Sequence, residues 1–132
     1  MEQTIGAAAG TMTSRLVSIV DDDASIREAL KSLMRSVKWN VEGFRSAEEF
    51  LSSGRLDATS CLILDVYLPG MSGFELQDRL NAERRPIPIV FITAHADEVS
   101  RQRALGGGAV ELLAKPVRRD PLFQAIRAAM ER

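Results

Sequence analysis

Hydrophobic positions in this chain follow two rhythms that alternate along its length. Short apolar runs recur at Leu16–Val20, Val41–Phe44, Cys61–Leu64, Ile87–Thr93 and Val110–Ala114, and each has the length of a strand. Cys61–Leu64 and Ile89–Ile92 are apolar throughout, the pattern of strands covered on both faces. Amphipathic stretches separate these runs. Ile26, Leu30, Leu33, Met34 and Val37 form one stripe at helical spacing, and Leu122, Ile126 and Met130 form another near the end. A weaker pattern predicts a helix from about Asp97 to Leu105.

Helix starts are also predicted locally. Ser25 with Glu28, Ser46 with Glu49 and Ser72 with Glu75 match the capping box, in which hydroxyl and carboxylate satisfy free backbone N–H groups. Asp120 before Pro121 predicts the N-cap and first position of the last helix. Gly106-Gly-Gly108 follows a predicted helix and precedes a strand, so it reads as a C-cap and turn rather than a phosphate loop.

Five strands, each followed by a helix, imply an α/β fold: a five-stranded parallel sheet with helices on both faces. In such sheets ligands bind at the carboxyl ends of the strands. Reactive side chains fall at four of those ends. Asp21, Asp22 and Asp23 follow the first strand, Asp65 ends the third, Thr93 ends the fourth, and Lys115-Pro116 ends the fifth.

Clustered carboxylates repel one another unless protonated or neutralised by a cation. A hard divalent ion resolves that, and Mg²⁺ takes one or two carboxylates together with water and phosphate oxygens. Asp65 is then a candidate nucleophile toward a phosphoryl donor, forming an acyl phosphate. Lys115 supplies a point charge to phosphoryl oxygens and Thr93 a hydrogen bond. The catalysis required is positioning and charge neutralisation.

Composition narrows the class of protein. Apolar residues make up 45% of the 132 residues, charged residues 27%, and the net charge is -1. That is the balance of an ordinary globular domain, and it argues against a body built to hold nucleic acid or an anionic membrane. Arg118, Arg119 and Arg127 read as a solvated helix face. No apolar stretch approaches the ~20 residues of a membrane span, and residues 1–14 read as a disordered tail rather than a secretory signal. One domain over residues 15–132 and a cytoplasmic location are the expectations. The lone Cys61 cannot form an internal disulfide and reads as buried packing.

The motifs Val20-Asp-Asp22, Leu62-Ile-Leu-Asp65, Leu68-Pro-Gly-Met-Ser-Gly73, Ile92-Thr-Ala94 and Lys115-Pro116 resemble, in order and spacing, the receiver domain of two-component response regulators. The resemblance runs from Leu16 to Met130 and is closest in style to the transcriptional subfamily with a C-terminal helix-turn-helix. It implies a flavodoxin-like (βα)5 fold with strand order 2-1-3-4-5. It also implies a phospho-accepting switch that takes its phosphoryl group from a sensor histidine kinase. By resemblance Asp65 is the phosphoacceptor, with Thr93 and Lys115 beside it. Mg²⁺ (or Mn²⁺) is held by Asp22, Asp65 and the Tyr67 backbone carbonyl, and by Asp21 through water. The Lys115–Pro116 bond is expected to be cis. Tyr67 and His95 occupy positions that tune phosphoryl lifetime in the family.

One departure stands out. Many receivers carry Phe or Tyr three residues before the lysine, where this chain has Leu112. The family's output and homodimer face, made by the fourth helix, fifth strand and fifth helix, is therefore expected to couple weakly to phosphorylation. Two other readings compete. A haloacid-dehalogenase-type phosphatase wants a second Asp two residues after the first, where Tyr67 stands. A degenerate receiver acting as a constitutive binding module does not need the intact set of Asp21, Asp22, Asp65, Thr93 and Lys115.

Overall fold

The computed structural model of the protein describes residues 15–132; the tail expected over residues 1–14 lies outside the described residues. The elements in chain order are β1 (Leu16–Val20), α1 (Ala24–Ser36), β2 (Asn40–Phe44), α2 (Ala47–Leu51), β3 (Thr59–Asp65), α3 (Gly73–Ala82), β4 (Ile89–Thr93), α4 (Glu98–Gly106), β5 (Glu111–Ala114) and α5 (Arg119–Met130). The strands form one five-stranded sheet in the order β2-β1-β3-β4-β5, and every pairing is parallel. The expected α/β architecture and strand order 2-1-3-4-5 are those observed.

Alternation along the central strands divides the core. Cys61 and Ile63 join Leu30, Met34, Leu122 and Ile126 on the face covered by α1 and α5. Leu62 and Leu64 join Phe50, Leu76, Leu80 and Ala104 on the face covered by α2, α3 and α4. Side chains in a strand point alternately to the two faces, so β3 needs apolar residues at every position from Cys61 to Leu64. Cys61 is fully buried, and burial pushes its thiol pKa up to about 12.

Three local expectations need correction. The first helix is capped by Asp23, whose carboxylate accepts from the Ser25 and Ile26 amides, so Ser25 sits inside the helix and forms no capping box with Glu28. Asp23 reaches these amides first, which starts the helix at Ala24. The last helix begins at Arg119 after Arg118, which makes no side-chain cap bond. Asp120 instead lies in the first turn, where a negative charge suits the helix dipole. Pro121 lies there too, among amides that lack intrahelical partners in any case. The strand expected from Ile87 begins at Ile89, because Pro88 has no amide for the ladder.

Of the other two predicted boxes, one is complete and one is half formed. Ser72 and Glu75 form a full capping box. Ser46 accepts from the Glu49 amide, while the Glu49 carboxylate reaches one residue further back, to the Arg45 amide. Gly107 caps α4 and Gly108 takes a φ of +99° in the turn to β5, as the glycine run suggested.

Candidate functional site

Parallel pairing brings the carboxyl ends of β1, β3, β4 and β5 to one rim. Asp65 pairs in register with Ile92, and Thr93 with Ala114. Residues far apart in sequence therefore become neighbours through the sheet. At the β1 end the chain turns so that Asp21 is fully buried and Asp22 exposed. The Asp23 amide donates to Asp21 Oδ1 at 2.9 Å, and Arg27 Nη1 donates to the Asp21 carbonyl at 2.7 Å. These bonds lock the turn and send Asp23 to the helix.

Lys115 reaches in from β5. Its Nζ lies 2.9 Å from Asp21 Oδ2 and 3.1 Å from Asp65 Oδ2. The Asp65 contact is a hydrogen bond. The Asp21 contact is an ion pair without hydrogen-bond alignment, and Asp21 Oδ2 accepts no hydrogen bond. Burial and the Asp21 charge raise the Asp65 pKa against the opposing pull of Lys115. Burial would lower the Lys115 pKa, but its close contacts with the Asp21 and Asp65 carboxylates and their charges outweigh this and raise it. One ammonium thus serves two carboxylates, which leaves the pocket with excess negative charge.

Thr93 is fully buried, and its hydroxyl accepts from the His95 amide at 3.1 Å. Its carbonyl accepts from the Lys115 amide at 2.8 Å, tying the β4 and β5 ends together. The Lys115–Pro116 peptide is cis, as expected. Tyr67 is half-exposed beside the rim, with its amide donating to Asp65 Oδ1 at 3.3 Å. Its ring meets that of His95 edge-on, with centroids 5.9 Å apart.

The donor set fits a hard divalent ion. One carboxylate oxygen from each of Asp21, Asp22 and Asp65 lies within 4.8 Å of the others, and Asp21 Oδ2 is a buried acceptor without a hydrogen bond. All the donors are oxygens, which suits Mg²⁺ or Mn²⁺ rather than a soft metal.

Two contributors escaped the sequence reading. Gly73 begins α3 directly against the phosphoacceptor candidate: a Cβ there would lie 2.2 Å from the Asp65 carbonyl. Glu48, on α2, accepts from the Met71 amide at 2.9 Å, and that bond holds its carboxyl below its ordinary pKa. Gly73 had a signal, as the glycine ending the Leu68-Pro-Gly-Met-Ser-Gly73 motif. Glu48 had none, because its partner is 23 residues away.

This acidic, lysine-tethered rim on a 2-1-3-4-5 sheet defines a class of protein, and comparison agrees. Residues 17–127 match the family model described as the response regulator receiver domain, and the chain belongs to that family. It is similar to nodulation protein W of Bradyrhizobium diazoefficiens, with 48% identity over 91% of this chain and 53% of that protein. The response regulator protein TodT of Pseudomonas putida shares 44% identity over 88% of this chain and 51% of its own. Among solved structures, the response regulator StyR superimposes with a TM-score of 0.82 at 46% identity, over 89% of this chain and 59% of that one. The chain spans about half the length of the curated relatives it matches.

The chain is therefore a phosphorylatable signalling receiver domain. Receivers of this family take phosphate from histidine kinases and bind Mg²⁺ at an acidic pocket. Among the described residues no helix is long and apolar enough to cross a membrane.

Proposed function

We propose that Asp65 is the phosphoacceptor of this receiver. The observation that carries the reading is the Lys115 ammonium held between Asp21 and Asp65, at 2.9 and 3.1 Å, where the strand ends converge. An Asp65 carboxylate oxygen attacks the phosphorus of a phosphohistidine on a sensor kinase. The new P–O bond replaces the P–N bond, and the imidazole leaves with the nitrogen electron pair. Lys115 then exchanges part of its pairing with Asp65 for the phosphoryl oxygens, which keeps its charge compensated. The Thr93 hydroxyl, released from the His95 amide, donates to a phosphoryl oxygen.

Asp22, Asp65 and the Tyr67 carbonyl would hold Mg²⁺ or Mn²⁺, with Asp21 acting through water. That ion supplies charge neutralisation for the incoming phosphoryl group. Acetyl phosphate with Mg²⁺ should add one phosphoryl group to the wild type and none to Asp65→Asn. Labelling of that variant at the wild-type rate would overturn the assignment.

The face made by α4, β5 and α5 serves homodimerisation or partner docking in this reading, and the protein works in the cytoplasm without contacting nucleic acid through this domain. Val99 on α4 is 77% exposed, which supports contact there. Leu112 is buried among the apolar side chains beneath α4 and offers no ring to swing outward, so coupling to phosphorylation lies toward the lower end of about 1–3 kcal/mol. Amide exchange with and without beryllium fluoride tests this. Changes confined to the acidic rim, with none between Asp97 and Met130, would remove the face from the output.

A further inference from the structure

The loop between β3 and α3 carries Tyr67, yet little in its own sequence holds it. Tyr67 donates locally to Asp65, and Gly73 donates to the Val66 carbonyl, closing the loop at its base. Leu68 is buried and Met71 packs against the same core. Among the described residues, the hydrogen bond tying residues 67–71 to another element is that from the Met71 amide to Glu48 Oε2 on α2. Gly70 is shaped to receive that carboxylate. It sits at φ +75°, and a Cβ there would lie 2.7 Å from Glu48 Oε2. The absent side chain at Gly70 and the present one at Glu48 are two halves of one contact.

Helix α2 is itself fastened at that end. Ser46 and Glu49 exchange bonds with the backbone around its start, and Phe50 is fully buried beneath it. Glu48 thus projects from an anchored turn onto a loop that leads directly from the acidic rim.

We propose that Glu48 is a positioning residue for the divalent-ion site. Its bond to Met71 fixes the β3–α3 loop and so the Tyr67 backbone carbonyl offered to the ion. The inference rests on the reading of the site given above. Groups that orient metal ligands typically contribute about 10–100-fold in affinity, and Glu48 acts through four intervening residues, so the lower figure applies.

The test uses the 132-residue chain, Mg²⁺ titration by calorimetry, and Met71 amide exchange in metal-free buffer. Glu48→Ala should speed Met71 exchange and weaken Mg²⁺ binding about 10-fold, and Glu48→Gln, which keeps an acceptor oxygen, should restore most of both. Glu48→Asp, whose carboxylate is one methylene short of the Met71 amide, should reproduce the loss in part if Glu48→Ala does not fold. Faster Met71 exchange with wild-type Mg²⁺ affinity would make Glu48 a purely structural residue and overturn the proposal. A wild type that binds no Mg²⁺ would instead overturn the site reading, and this proposal with it.

Discussion

At the amino end of β3, Thr59 is buried and its hydroxyl is fully used: it donates to the Arg55 carbonyl at 2.7 Å and lies 2.7 Å from Ser18 Oγ, from which it accepts. At the carboxyl end of the same strand, Asp65 shares one ammonium with Asp21, and Asp21 Oδ2 accepts no hydrogen bond. Both ends bury polar atoms on neighbouring strands. One end closes its hydrogen bonds internally; the other leaves acceptors aimed at a common point. Two buried carboxylates that share one ammonium repel each other, which disfavours their both being charged unless a further cation neutralises them. The amino end is arranged for stability, and the carboxyl end keeps a deficit that a bound cation and phosphoryl group can relieve.

The largest contrast along β3 should appear in Cys61, inside the strand two residues from its amino end. Its thiol is pushed up to about 12 by burial, against about 8.5 for a free cysteine, and the thiolate is the reactive form. Reaction with a thiol-specific disulfide reagent at pH 8 should run at least about a thousand-fold slower in the native chain than in denaturant. A fast native reaction would show that the strand opens to solvent there.

Gly73→Ala should come next, at about 3 kcal/mol in urea unfolding, because the added methyl meets the Asp65 carbonyl and backbone must move. A near-neutral result would mean that α3 can slide off the rim.

Changes at the two ends should have opposite signs. Thr59→Val should cost about 2 kcal/mol, since it leaves the buried Ser18 hydroxyl without its acceptor and the Arg55 carbonyl without its donor, and Ser18→Ala about 1 kcal/mol, since Thr59 keeps its bond to Arg55. Asp65→Asn should raise the melting temperature in metal-free buffer, because it removes one of two like charges competing for Lys115. If Asp65→Asn destabilises the chain there, the rim carries no stored repulsion and the comparison fails.

The smallest effects concern the first helix. Asp23→Ala should cost about 1 kcal/mol as the loss of an N-cap, while Ser25→Ala should stay within about 0.5 kcal/mol. The reverse order in thermal melts would restore the capping box that the sequence suggested.

That pair also marks how far the sequence was legible. Ser25 and Glu28 have the right spacing for a cap, but Asp23 takes the Ser25 amide that the box needs, and the Ile26 amide as well. Local chemistry allowed either start; the turn locked by Asp21 and Arg27 chose between them.

The sequence by itself determined the alternation of strands and helices, the helix starts at Ser46 and Ser72, the glycine turn after α4, and which residues end each strand. These depend on periodicity and on groups within four residues of one another, and such interactions form the same way in any tertiary setting. Only the tertiary structure decided that Asp21 is buried and Asp22 exposed, that Lys115 divides itself between Asp21 and Asp65, and that Glu48 meets Met71. Lys115 and Asp65 are 50 residues apart, and nothing local sets the angle at which one reaches the other. Strand order and register do so, because parallel pairing fixes neighbouring strand ends about 5 Å apart whatever the length of chain between them.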